Sequence, residues 1–495
     1  MCGIAGMCAF DGALGQRPEA AKKNLDQMAA ALAHRGPDGS GVFLDGPVGL
    51  AHTRLAIIDP GKGTQPMVRR ETGRTCALTY NGELYNTAEL RAELTVRGQT
   101  WETTSDTEVL LAGLMRQGPQ FVRKINGIFA FAYWDGKQLL LVRDRLGVKP
   151  LFYAQNPQGS GTLLFGSEPK ALFAAGLRPA LDDAGRRELF ALGPAHTPGT
   201  CVFRGVRELL PGQLLVASAE GCRTEMYWQL ESWPHTDSPE ETVERTAFLV
   251  RDAVERQMVS DVPICTFLSG GLDSSLVSAI CARKLAERGQ RLATFSFDFR
   301  GNEEYYRSNA FQPSRDAPYA AEMAAYLDSE HTELDCDSQE LADWLDRAVD
   351  ARDMPGMADI DASLLYFCHI VGKRYKVTLT GESADEIFGG YPWFRSETAF
   401  QEAAFPWSRD MAARETFLRD DVLERLRLRE YARAAYDDSV AQTPRLADDS
   451  PEEARRREIT WLNLRWFLQT LLETGVTKSL LYAACPIKEF CKRDF

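Results

Sequence analysis

No run of about 18 apolar residues occurs in the sequence, so no transmembrane helix is expected. Positive charge is not in excess either. Lys and Arg number 57 against 70 Asp and Glu, a formal net charge of −13. That balance argues against a dedicated nucleic-acid or anionic-membrane surface and leaves room only for a small basic pocket around a nucleotide phosphate. The 11 cysteines are scattered, with no CxxC pair and no Cys/His cluster at zinc spacing. Neither a disulfide framework nor a structural metal is expected, and a reducing cytoplasm is the natural compartment. The N-terminus, Met1-Cys-Gly-Ile-Ala-Gly6, lacks the basic region and long apolar core of a signal peptide. Internal repeats and low-complexity tracts are missing too. What remains is an ordinary globular composition, 44% hydrophobic and 26% charged over 495 residues. That length suits two or three domains, each able to bury a core without staples.

The first two hundred residues carry short apolar runs bounded by Gly, Asp, Asn or Pro. Val48-Gly-Leu-Ala-His52, Arg54-Leu-Ala-Ile-Ile-Asp59, Cys76-Ala-Leu-Thr-Tyr80, Phe129-Ala-Phe-Ala-Tyr-Trp134 and Leu139-Leu-Leu-Val142 read as strands. Helical patterns at Ala20 to Ala33 and Thr87 to Arg97 lie between them, giving an α+β layered domain. A polar, proline-containing stretch around 232–241 ends in a helix start, with Ser238 as N-cap, Pro239 at the first helical position and Glu241 closing a capping box. Beyond it strands and helices alternate: Val262 to Leu268, Leu292 to Phe297, His331 to Leu334 and Lys376 to Thr380 read as strands. This implies an α/β parallel sheet with ligands at the carboxyl ends of its strands. After Trp407 the chain is helical and charged. Leu418, Val422 and Leu426 share a face, and Asp421 and Arg425 are spaced to pair. The expected division is a first domain over 1–215, a linker over 216–240 and a second domain over 241–495.

Several residues carry chemistry by type and position. If methionine is removed, Cys2 becomes an N-terminal thiol beside a free α-amine that can act as its base, although a cysteine near a terminus is on position alone more often incidental. Arg54 and Asp106 are the charges that would hold an α-carboxylate and an α-ammonium; each alone is more often a surface charge. Asn81-Gly82 can present a side-chain amide and a backbone N–H to an oxyanion, or make a hairpin turn. In the second half, Leu268-Ser-Gly-Gly-Leu-Asp-Ser-Ser275 joins a buried strand to a helix. Its glycines and serines suit a phosphate, and Asp273 suits magnesium; the lysine of a Walker A loop is missing. Gly381-Glu-Ser-Ala-Asp-Glu386, after another strand, is an acidic loop that by itself could be a solvated turn.

Taken in order, Met1-Cys-Gly-Ile-Ala-Gly6, His34-Arg-Gly-Pro-Asp38, Arg54 to Asp59, Tyr80-Asn-Gly-Glu83, Ser105-Asp-Thr-Glu108, Asn126 to Ala132 and Arg143-Asp-Arg-Leu-Gly-Val-Lys-Pro150 resemble the glutaminase domain of the glutamine-hydrolysing asparagine synthetase B family. Ser269 to Ser274 with Gly381 to Tyr391 resemble its synthetase domain, one of the N-type ATP pyrophosphatases. The resemblance implies an N-terminal-nucleophile domain followed by an ATP-pyrophosphatase domain. It implies Cys2 as nucleophile, an oxyanion hole of Asn81 and the Gly82 amide, and glutamine binding by Arg54, Asn81, Gly82, Glu83 and Asp106. Further along, Ser269, Gly270, Gly271, Asp273 and Ser274 would line the pyrophosphate, and Asp273 and Asp385 would take Mg2+. Phe267, Phe297 and Gly381 would fall near adenosine, and Glu382 and Tyr391 near an acyl-adenylate. Glutamine, aspartate and ATP are the implied small-molecule partners, with no nucleic acid or membrane and with a homodimer left open. His34 and His52 are read as structural.

Family-like sequence continues to about Leu472. The family then carries a stretch resembling DRMSMANSLEVRVPFLDH, where this chain reads Glu473 to Phe495 and places neither Lys478 nor Lys488 in a matching context. A frameshift or premature stop is the expectation, with weak or absent aspartate-dependent ATP–pyrophosphate exchange. The rival readings are a chain limited to glutaminase activity, an amidotransferase for another carboxylate, and a non-catalytic nucleotide-binding chain.

Overall fold

The computed structural model describes residues 1–71, 73–155, 161–309, 312–408, 410–476 and 481–483. Twelve strands build the first domain: β1 (Gly3–Cys8), β2 (Gly39–Asp45), β3 (Val48–Arg54), β4 (Met67–Glu71), β5 (Arg74–Leu84), β6 (Gly127–Trp134), β7 (Leu139–Arg143), β8 (Phe152–Gln155), β9 (Leu163–Gly166), β10 (Val206–Glu208), β11 (Gln213–Ser218) and β12 (Gly221–Met226). They form two antiparallel sheets, ordered β10-β8-β9-β1-β3-β2 and β12-β11-β7-β6-β5-β4. The inward faces meet through Ile4, Leu50, Ala77, Ala130 and Leu141. The helix Pro18–Ala31 covers the outside of the first sheet through Leu25 and Met28, and the helix Asp106–Gln117 covers the second through Val109, Leu110 and Leu114. This is an αββα sandwich, the layered α+β domain that the alternating apolar runs imply.

Five parallel strands build the second domain: β13 (Ile264–Phe267), β14 (Ala293–Phe299), β15 (Glu330–Cys336), β16 (Val377–Leu379) and β17 (Leu481–Ala483), ordered β15-β14-β13-β16-β17. The sheet order reverses direction at β13, so β13 and β16 flank the switch point, and a cleft opens beyond their carboxyl ends. The helix Pro239–Gln257 begins with the expected capping box: the Ser238 hydroxyl accepts from the Glu241 N–H, and the Glu241 carboxylate accepts from the Ser238 N–H. Among the described residues no helix is long and apolar enough to cross a membrane.

Three expectations of the sequence differ from the structure. The chain does not leave the first domain at 215. β11 and β12 extend its second sheet to Met226, and the Tyr227 hydroxyl donates to the Arg143 carbonyl at 2.8 Å, so residues 216–226 are sheet rather than linker. Arg54 to Asp59 is not one strand. Arg54 ends β3, and from there side chains capture the N–H groups a ladder would use: Leu55 donates to the Cys2 Sγ at 3.4 Å, Ala56 to Asp38 at 2.7 Å and Asp59 to Asp261 at 2.8 Å. Asp421 and Arg425 do not bridge each other; Asp421 pairs with Arg419, and Arg425 reaches Asp183 of the first domain. The shared face of Leu418, Val422 and Leu426 does form, packed under the helix Asp183–Ala191.

The two domains share one apolar core. Met1, Leu55, Ile57, Ile128 and Val148 pack with Val254, Met258, Val277, Cys281, Leu379, Leu468 and Leu472, with Cys2 at the edge. Polar ties frame it: Lys376 donates to the Asp38 carboxylate at 2.7 Å, and Arg256 pairs with Glu89 at 2.9 Å.

Candidate functional site

The register Gly3↔Thr53 puts Cys2 opposite Arg54, at the end of the paired strands β1 and β3 of the first sheet. The Cys2 thiol lies against the Leu55 backbone, and burial raises its pKa. Below it the Arg35 Nε donates to the Cys2 carbonyl at 3.0 Å. Arg35 is itself held by Glu168 at 2.6 Å, both side chains being 1–2% exposed, and His34 and Lys170 also reach Glu168. Burial alone would raise the Glu168 carboxyl; Arg35, His34 and Lys170 hold it well below the usual carboxylate range. His34 thus belongs to the support of the site. Burial drops the pKa of His52 to about 3, leaving a neutral ring against the Thr79 hydroxyl. Both are held by partners within the fold, His34 by Glu168 and His52 by Thr79.

Lys149 is fully buried and donates to the Met1 sulfur at 3.0 Å. Burial, aided by Arg35, pulls its pKa down to about 8. Its loop is built by Asp144, whose carboxylate accepts from the N–H groups of Leu146, Val148, Lys149 and Phe129. The terminal amine is also buried, and that burial together with Arg35 and Lys149 depresses it to about 4. An amine so placed is a free base at neutral pH. Arg35, Asp144, Lys149 and Glu168 carry no role in the sequence reading. The motifs His34-Arg-Gly-Pro and Arg143 to Pro150 were their only signal; Arg35 and Glu168, and Lys149 and Met1, meet across more than a hundred residues, while Asp144 binds amides close to it in sequence.

β5 supplies the facing wall. Thr79 points between the sheets to the Ala51 carbonyl, so the two-residue period puts Asn81 and Glu83 on that same inner face. Asn81 is 1% exposed and its Nδ2 has no partner. Gly82 is opposite Phe129, whose own N–H and C=O are taken by Asp144; the pair is therefore a non-hydrogen-bonded one, and the Gly82 N–H points away from β6. On that side the flanking N–H groups are capped, Tyr80 by the Gln65 side chain at 2.7 Å and Leu84 by Asp106 at 3.2 Å. β4 ends opposite Leu78, so no strand reaches Gly82 there. A Cβ at Gly82 would sit 2.2 Å from the Ile128 carbonyl. Asp106 opens the helix Asp106–Gln117, accepts from the Tyr80 hydroxyl at 3.0 Å and is raised in pKa by burial. Burial and Asp106 both raise Glu83. Arg54 donates to the carbonyls of Ile58, Asp59 and Pro60 and so forms the opposite end of the site. Cys2, Arg54, Asn81, Gly82, Glu83 and Asp106 therefore stand together.

In the second domain a cavity of about 430 Å³ is lined by Phe267, Ser269, Gly271, Asp273, Ser274, Phe297, Gly381 and Glu382, all expected, and by Asp316 and Thr380, which were not. Gly270 adopts φ +80°, and a Cβ there would meet the Tyr319 backbone at 2.4 Å. The segment Arg315-Asp-Ala-Pro-Tyr319 thus walls the loop. The Ser269 and Ser274 hydroxyls bond each other at 3.0 Å, and the helix Leu272–Ala286 starts at Gly271 with no side-chain cap, leaving its first N–H groups toward the cavity. Burial raises both Asp273 and Asp385, and Asp385 raises Asp273 further. Gly381 packs against Asp273, where a Cβ would come within 2.7 Å. Asp385 and Tyr391 lie behind the lining. The Tyr391 hydroxyl donates to the buried Glu386, and its ring stacks on Trp393 at 4.3 Å. Lys478 and Lys488 lie outside the described residues.

Residues 1–228 match the family of glutamine amidotransferase domains, and residues 246–479 match the asparagine synthase family. The chain is 45% identical over 477 residues to asparagine synthetase [glutamine-hydrolyzing] 3 of Bacillus subtilis, covering 96% of this chain and 76% of that protein. It is 33% identical over 398 residues to asparagine synthetase [glutamine-hydrolyzing] 1 of the same organism, covering 79% of this chain and 60% of the relative. Asparagine synthetase B of Escherichia coli is 31% identical over 409 residues, with 78% and 65% covered. The chain thus spans about three quarters of the first relative and less than two thirds of the other two.

Proposed function

This chain belongs to the family of glutamine-hydrolysing asparagine synthetases, and from that premise we propose that it converts L-aspartate, L-glutamine and ATP into L-asparagine, L-glutamate, AMP and pyrophosphate. The observation that carries the reading is the shared core, which sets the thiol of Cys2 against the same apolar cluster as Leu379, two residues before Gly381 of the nucleotide cavity.

In the first site Met1 is removed, and the freed α-amine of Cys2 takes the thiol proton as sulfur attacks the side-chain amide carbon of glutamine. Arg35, whose Nε donates to the Cys2 carbonyl, and the buried Lys149 place positive charge beside that base and disfavour its protonated form. Asn81 Nδ2 and the Gly82 N–H receive the oxyanion: Nδ2 has no other partner to leave, and the Gly82 N–H points away from the β6 ladder. Collapse expels ammonia with the proton from the amine; water then cleaves the thioester to glutamate. Arg54 grips the α-carboxylate of glutamine, and Asp106 with Glu83 grips its ammonium.

In the second site the uncapped helix start, Ser269, Gly270, Gly271 and Ser274 cradle the phosphates, while Phe267, Phe297 and Gly381 enclose the adenosine. The β-carboxylate of aspartate attacks the α-phosphorus, pyrophosphate departs, and ammonia crossing the apolar core displaces AMP from the acyl carbon beside Glu382 and Tyr391. Asp273 and Asp385 fit a Mg2+ ion: burial disfavours both as bare anions, Asp385 disfavours Asp273 further, and a hard cation shared with phosphate oxygens would relieve that charge. The cation, when bound, offsets the charge of departing pyrophosphate.

The test is product stoichiometry with the purified chain. One asparagine and one pyrophosphate per ATP are expected, with Cys2→Ala losing the glutamine-dependent reaction and keeping the ammonia-dependent one. Glutamate without asparagine from either nitrogen source would overturn the synthetase assignment.

A further inference from the structure

A second cavity lies at the joint of the two domains, away from both sites. The first domain contributes Arg145, Leu146 and Trp228, and the second contributes Trp461, Arg465 and Gln469. None of the lining residues is acidic. Arg145 is occupied, donating to the carbonyls of Ile125 at 2.6 Å and Arg123 at 2.9 Å. Gln469 is occupied as well, donating to the Leu146 carbonyl at 2.7 Å. Arg465 is not: among the described residues it makes no hydrogen bond and no ion pair, and its guanidinium lies over the Trp461 ring, 5.3 Å from the centroid. Burial alone holds its pKa below the ordinary guanidinium value. A partly buried cation without an anion is a cost that a fold normally relieves with a carboxylate or leaves for a ligand. The backbone that presents it is unusual too. Asn463–Phe467 is a π-helical turn, the one-residue insertion that concentrates at functional positions.

We propose that this cavity is a binding site for a small organic carboxylate, whose anionic end pairs with Arg465 and whose apolar end lies between Trp228, Trp461 and Leu464. A planar guanidinium offers two parallel donors to a carboxylate, and the tryptophan faces take a short aliphatic body. The cavity volume is about 70 Å³, room for about five to seven water-sized groups at roughly 10–15 Å³ each. That limits the ligand to a chain of a few carbons and excludes a nucleotide. The site is not the glutamine subsite: neither Arg54 nor any residue of the loop 55–59 that it binds lines the cavity.

The test titrates the full chain with butyrate by saturation-transfer NMR and calorimetry, with butyramide as the neutral isostere. Saturable butyrate binding is expected, with butyramide weaker by about tenfold or more, the usual worth of a charge-assisted pair. Arg465→Met loses butyrate affinity by a similar factor, Arg465→Lys recovers part of it, and Arg54→Met leaves it unchanged. Because Arg465→Met removes an unpaired, partly buried charge, it unfolds at the same or a higher temperature than wild type; a residue with only a structural role would lower that temperature. Equal binding of butyrate and butyramide, unchanged affinity in Arg465→Met, or no saturation would each overturn the proposal. Should Arg465→Met fail to fold, the isostere comparison on wild type and Arg465→Lys decides it.

Discussion

Replacing Asn81 with alanine should separate activity from stability. The side chain is buried inside a strand, so its amide lost water on folding, yet Nδ2 gained no partner in return. An unsatisfied buried donor costs about 1–3 kcal/mol. Removing it recovers most of that sum, while the lost van der Waals contacts of the amide return about 1 kcal/mol in the other direction. The net change in folding free energy is then within about 1 kcal/mol of zero. Catalysis has no such compensation: one oxyanion donor is worth ~10²–10³ in kcat. The assay pairs glutamate release under saturating glutamine with thermal unfolding of the same preparations. A fall in kcat of two to three orders of magnitude (~10²–10³) at nearly unchanged Tm is expected. A kcat within about tenfold of wild type, or a stability loss above about 2 kcal/mol, would show that the amide is held for packing and that the oxyanion lies elsewhere.

Glu168→Ala strands the Arg35 charge in the core and should cost about 3–5 kcal/mol, whereas converting both residues to methionine should cost less; denaturant titration distinguishes them. Because the folded Glu168 carboxyl is depressed, its contribution to stability is present above roughly pH 4.3 and fades as the pH falls below that, a slope the double variant should lack. Lys149 slopes the same way in a higher window: its folded pKa of about 8 lies below the unfolded value, so wild type should gain stability relative to Lys149→Met as pH rises from about 8 to 10.4 and hold level outside that window. Gly381→Ala drives a methyl against Asp273 and Ser274, 2.7 Å away, and should abolish ATP-dependent asparagine formation while leaving glutamine hydrolysis intact.

What could be read from the sequence was what is local. Ser238-Pro-Glu-Glu241 builds its own capping box, and Ser269 to Ser274 builds its own loop and helix start, so both stand as the sequence implies. Cys2, Asn81 and Asp106 were legible because motif order gave their identities, although only the β1–β3 register and the inner face of β5 bring them together. The strand assigned to Arg54 to Asp59 failed because Asp38, Asp261 and the Cys2 sulfur take its amides, and all three are distant in the chain. The end of the first domain was misplaced for a related reason. β12 is exposed along its length, so Gly221 to Met226 has the polarity of a linker and becomes a strand only by pairing with β11. Arg35 with Glu168, and Asp144 with its ring of amides, are ordinary charged residues until the fold closes around them.

β1 is not at the edge of its sheet; it sits between β3 and β9, with Met1 only 2% exposed beneath it. An aminopeptidase cannot reach a methionine so enclosed. Its opportunity is therefore a matter of timing: the central strand stays open on one side until residue 166 has been synthesised, which at ~5–20 residues per second is roughly 10–30 s after translation begins. On the proposed chemistry, Met1 has to leave in that interval, before β9 closes over β1.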